Sequence, residues 1–172
     1  MLFRRILAIA LIPYAIWLVF SYRYHFIDNV NLLFHEAGHV IFGIFGQTMH
    51  FLGGTLGQLF FPAAFAVYFF MKDKRVDAMV CGVWLGESLM YAAEYLGDAR
   101  AMALPLVGGH IHDWNWLLAK AGLLRQCEEI ATAIHVVASL IVVACVALAV
   151  RWSFAPAPAT VEALEDQPRA LH

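Results

Sequence analysis

The stretch VNLLFHEAGHVIFGIFG, Val30 to Gly46, carries His35-Glu36-Ala37-Gly38-His39 inside an otherwise apolar run. Read as a helix, it puts residues four apart on one face, so His35 and His39 aim their imidazoles at a common point. Two histidines so spaced, with a glutamate after the first, form the H-E-x-x-H pattern of a zinc-binding helix. Glu36 lies about 100° round from His35, close enough to lean over a water at the metal. Asp28, Asn31 and His39 all fall within about 60° of His35 on the helical wheel. One polar stripe on an apolar helix marks a face turned toward protein.

Composition places this helix in a membrane. Of 172 residues, 62% are hydrophobic and 14% charged, and the mean hydropathy is +0.71. Soluble domains carry nearer a quarter charged residues. The net charge of −2 comes without a basic face and excludes nucleic acid as a partner. The lipid bilayer is the partner implied. Cys81, Cys127 and Cys145 form no C-x-x-C pair and read as small buried hydrophobes.

The fold class expected is an all-α membrane protein, a bundle of about five transmembrane helices. The spans are Ile6–Tyr22, Asn29–Gly46, Thr55–Met71, Val76–Gly97 and Ile130–Trp152. Arg4-Arg5 precede the first span, and no small-x-small cleavage site follows it, so it reads as an uncleaved helix. Pro13 predicts a kink, and Gly57 with Pro62 a bent or broken third helix. Residues 98–129 form a structured loop with an interfacial helix at Trp116–Leu124. Residues 1–154 constitute the membrane domain and 155–172 a flexible polar tail. Basic residues divide evenly between the two sides, so the positive-inside rule gives no orientation. Whatever the orientation, the end of the second helix, the end of the fourth and the loop gather on one side. His39 lies about 10 Å and His35 about 16 Å below that surface.

An ionisable group at mid-bilayer costs about 2.5–3.5 kcal/mol, which makes the others candidates for function. A catalytic zinc takes a third protein ligand and keeps a position for water. The fourth helix offers Glu87, Glu94 and Asp98 on one face, with Asp98, then Glu94, best placed at the loop side. Glu87 reads as a paired or headgroup-facing carboxylate. The loop offers His110 and His112, alternating as on an extended strand, with Asp113 as a residue that orients a ligand imidazole. The metal set read from sequence is thus His35, His39, Asp98 and His112, holding Zn2+, with Glu36 as general base. Trp114 and Trp116 read as interfacial anchors, and His135 as an interior histidine. Gly53-Gly54 reads as a tight re-entrant turn, with Gln58 hydrogen-bonding a substrate backbone.

Together, the H-E-x-x-H helix, the glycine pair Gly53-Gly54 and the apolar segment with Pro62 resemble the site-two family of intramembrane zinc metalloproteases, in its small bacterial branch. The likeness covers about 29–65. It implies a helical bundle in the bacterial inner membrane that cleaves a membrane-protein substrate within the bilayer. It gives His35 and His39 ligand roles and Glu36 the base role. The family's third ligand is an aspartate on a later helix, in an Asn-Pro and Leu-Asp-Gly setting that this chain lacks; Asp98 takes that place by position in the bundle. Glu94-Tyr95-Leu96-Gly97-Asp98 also resembles the second motif of thermolysin-like zincins, where the glutamate is the ligand. The readings that compete are a non-catalytic zinc-binding membrane protein, a metal carrier and a membrane di-iron oxygenase. The last needs further histidine boxes that are missing here.

Overall fold

The computed structural model describes residues 2–107 and 111–155. Six α-helices are present among them and no strand. They are α1 (Leu2–Ser21), α2 (Phe26–Gly43), α3 (Gln47–Met71), α4 (Arg75–Gly97), α5 (Asp113–Ala121) and α6 (Cys127–Ser153), with a 3-10 turn at Leu124–Gln126 before α6. Three stretches are long and apolar enough to cross a membrane: Leu2–Ser21, Gln47–Met71 and Leu124–Ser153. The helices between them carry Asp28, Asn31 and His35 (α2) and Glu87 and Ser88 (α4) as buried polar groups, and α3 adds Thr55 and Gln58.

Pro13 and Pro62 both lie inside continuous helices, so neither breaks its segment. Gly53 and Gly54 do not form a re-entrant turn. They sit within α3, which starts at Gln47 and runs through them. The physical reason is packing: a Cβ at Gly38 would collide with the carbonyl of Gly53, and one at Gly57 with the carbonyl of Phe34. Gly53-x-x-x-Gly57 is a small-residue face that lets α2 and α3 approach backbone to backbone. The turn lies earlier, at Gly46, whose φ of 100° only glycine adopts readily.

The same device joins α4 to α6, where Gly82 faces Cys145 and Gly86 faces Val142. Leu18 of α1, Val83 and Met90 of α4 and Ala138 and Val142 of α6 make the main apolar core. A second cluster (Leu96, Ala99, Leu118, Cys127) seats α5 beneath the α4–α6 connection. That helix begins at Asp113, earlier than expected. It ends at Gly122, whose φ of 73° makes the left-handed C-terminal cap. Lys120 Nζ donates to Thr48 Oγ1 at 2.8 Å, and Trp116 packs on Phe51. The loop is thereby tied over the start of α3, next to the end of α2. His110 and the tail from 156 onward lie outside the described residues.

Candidate metal centre

His35 is buried on α2, and His39 is half-buried one turn further on. Their rings lie 4.7 Å apart between centroids. The third member of the group comes from the loop: Asp113, the first residue of α5, is buried against them. Its Oδ2 lies 3.1 Å from His35 Nε2 and 3.3 Å from His39 Nε2.

Each imidazole is held by its other nitrogen. His35 Nδ1 lies 2.9 Å from Gln58 Oε1. Gln58 is itself buried and donates through Nε2 to the Ser88 carbonyl at 3.0 Å, which turns its oxygen toward His35. His39 Nδ1 lies 2.7 Å from the His50 carbonyl. An acceptor opposite Nδ1 requires the proton there, so a metal at Nε2 would take the place of the second proton, the one that bonds Asp113 in its absence. Gln58 thus orients a histidine, which differs from the substrate contact read from sequence.

Asp113 is fixed from α4. Its backbone N–H donates to the Tyr95 hydroxyl at 3.1 Å, and that hydroxyl lies 3.3 Å from Oδ2. Burial alone would raise the Asp113 carboxyl. The hydrogen bonds and charge of His35 and His39 outweigh it and hold the group at about 2, below the usual carboxylate range.

Asp98 and His112, read from sequence as ligands, are not part of this group. Asp98 ends α4, and its carboxylate accepts from the backbone N–H groups of Ala103 (2.9 Å) and Leu104 (3.0 Å). Its role is to shape the loop. His112 is extended, as the alternation predicts, but it caps α5: its Nδ1 accepts from the Asn115 N–H at 3.3 Å. Its ring stacks on Tyr95 at 4.1 Å, and its Nε2 stands 3.5 Å from Asp98. Burial pushes the His112 imidazole down, against the opposing pull of Asp98. Glu94 is exposed and lines the cleft without joining the ligand group.

That cleft, about 660 Å3, opens beside the two histidines. Glu36, half-buried, lines it together with His35, His39, Tyr91, Tyr95 and Asp113. Its apolar wall is the segment 104–107 with Ile111.

The donors suit zinc. Ligands at about 2.0–2.1 Å in a tetrahedron stand about 3.3 Å from one another, and the Nε2–Oδ2 separations here are 3.1 and 3.3 Å. Two neutral imidazoles and one carboxylate, with a cleft beside them for a fourth position, match the composition of catalytic rather than structural zinc sites. Compared with known proteins, the chain matches no family model, no curated protein and no solved structure.

Proposed function

We propose that the protein is a membrane-embedded zinc-dependent hydrolase, and that its reaction is peptide-bond cleavage in a membrane-protein substrate. The observation that carries this reading is the convergence of two Nε2 atoms of an H-E-x-x-H helix on one buried aspartate oxygen, with both Nδ1 atoms engaged. In this reading α2 and α4 cross the bilayer beside α1, α3 and α6, giving five spans, and α5 lies at the interface. The resemblance to the site-two family gives the bacterial inner membrane as the setting.

His35, His39 and Asp113 would hold the zinc ion. When bound, zinc acts as a Lewis acid that acidifies water and polarises a carbonyl. Glu36, placed in the same cleft, accepts the proton of the attacking water and returns it to the leaving amine. Tyr95 keeps the Asp113 carboxylate facing the histidines. The segment 104–107 walls the cleft with apolar side chains and limits water to what the reaction needs.

Metal analysis of the purified protein, paired with Glu36→Gln, tests this. Equimolar zinc is expected in both forms. Peptides released from membranes of cells making the wild type are expected to be missing from cells making Glu36→Gln. Identical peptide sets with equal zinc would leave a zinc-binding protein without hydrolase activity.

A further inference from the structure

Two turns before His35, a second group of ionisable side chains is closed off in the interior. Asp28 of α2 and Glu87 of α4 are both 0% exposed. Single ligand-type atoms of His25, Asp28 and Glu87 all lie within 4.8 Å of one another.

The two carboxylates are served unequally. Asp28 Oδ1 accepts from the Tyr22 hydroxyl at 2.5 Å. Asp28 Oδ2 accepts from the His25 backbone N–H at 2.6 Å and faces His25 Nδ1 at 2.7 Å. Asp28 is therefore supplied with donors as an anion would be. Glu87 Oε2 accepts from Asn31 Nδ2 at 2.8 Å, and Trp84 Nε1 donates to the other side of that amide at 2.8 Å, which fixes its orientation. Glu87 Oε1 is enclosed and has no hydrogen-bond partner among the described residues.

Charge makes the arrangement incomplete. No lysine or arginine pairs with either carboxylate among the described residues. His25 already serves Asp28. Tyr14 of α1 lies close to the pair, Tyr22 in the α1–α2 connection donates to Asp28, and Tyr91 and Glu94 of α4 lie near enough to feel the Asp28 charge. Helix α3 contains no Asp, Glu, Lys or Arg, and the interior His135 of α6 is turned to the Val19 carbonyl. Two adjacent anions in an apolar interior are strongly disfavoured unless one positive charge joins them.

We propose that Asp28 and Glu87 form a proton-binding pair that shares one proton, carried on Glu87 Oε1 and directed at Asp28. The proton converts the orphaned oxygen into a donor and leaves a single negative charge among the donors of Asp28. The spacing argues against a metal ion as the missing charge. His25 Nδ1 and Asp28 Oδ2, at 2.7 Å, are at hydrogen-bonding distance and closer than two ligands of one zinc ion stand. His25 is partly exposed at the α1–α2 turn, and its Nε2 lies 2.7 Å from the Tyr14 hydroxyl. It gives the buried proton a route for exchange with the outside. The pair is independent of the metal centre and of the hydrolase reading.

Infrared spectroscopy of the full chain in lipid at pH 7 tests the proposal. A carbonyl band of a protonated carboxylic acid is expected, sensitive to deuterium and lost in Glu87→Gln but kept in Glu94→Gln. Carbon-13 glutamate in the wild type is expected to shift the same band, which assigns it to a glutamate, and its persistence in Glu36→Gln and Glu94→Gln narrows it to Glu87 even if Glu87→Gln does not fold. Absence of the band in the wild type, or a band indifferent to labelled glutamate, overturns the proposal. A second equivalent of bound metal that only Glu87→Gln removes would overturn it as well, in favour of a metal site.

Discussion

His39 and His50 bond each other's backbone: His39 Nδ1 lies 2.7 Å from the His50 carbonyl, and His50 Nδ1 lies 3.0 Å from the His39 carbonyl. The first bond sets the tautomer of a proposed ligand and uses only main chain on the His50 side. His50→Ala should therefore leave metal affinity nearly unchanged, because the carbonyl remains. Gln58→Leu removes the side-chain oxygen that orients His35 and should weaken metal binding about 10–100-fold. Competition against a chelator of known affinity measures both. Equal effects of the two substitutions would contradict the assigned roles.

The proposed loop-derived ligand, Asp113, is the sharpest point of difference from the sequence reading. Asp113→Ala should abolish stoichiometric metal binding, as should His35→Ala. Asp98→Asn should retain the metal, since Asp98 serves the loop backbone. Asp98→Ala removes the acceptor of the N–H groups of exposed Ala103 and half-buried Leu104 and should cost about 0.5–1.5 kcal/mol per hydrogen bond lost. Faster proteolysis at residues 99–107, with the metal still present, is the expected result.

Glycine substitutions separate packing from coordination. Gly38→Ala drives a methyl into the Gly53 carbonyl and should lower stability by about 1–3 kcal/mol or more, as overpacking does. At Gly54 the added methyl meets the His35 imidazole itself. Gly54→Ala should displace that ring and lose metal out of proportion to its effect on unfolding. Thermal unfolding and metal content, measured on the same preparations, tell the two apart.

Without metal, Asp113 holds α5 to α2 through a lowered carboxyl group. Its folded value of about 2 lies below the model-compound value of 3.8. A lowered acid adds stability that is complete above the unfolded value and is lost as pH falls through the folded one. In metal-free protein, pepsin cleavage in 99–107 should thus rise between about pH 4 and pH 2, and Asp113→Asn should remove that rise.

The α2 stripe was legible because a helical period turns a string of letters into a face. Asp28, Asn31 and His35 are all buried as that period requires. The third metal-binding candidate was not legible as such. Asp113 follows His112 at a helix start, where an acidic residue is ordinary, and only the docking of α5 on α3 brings it to the histidines. The glycines misled for a similar reason. Gly53-Gly54 suits a turn in isolation, and the cue to the alternative was Gly57 four residues on, the spacing of a close helix contact. Gln58 carried no signal beyond being polar in an apolar helix.

The distance along the chain between His35 and Asp113, 78 residues, has a consequence for how the protein is made. During synthesis α2 leaves the ribosome well before its aspartate partner has been made. Until α3 and α4 are in place and α5 has folded back, the two histidines face no carboxylate, and the proposed metal centre is incomplete. On the proposed reading, a chain still being made has no complete site, and any activity waits for the whole bundle.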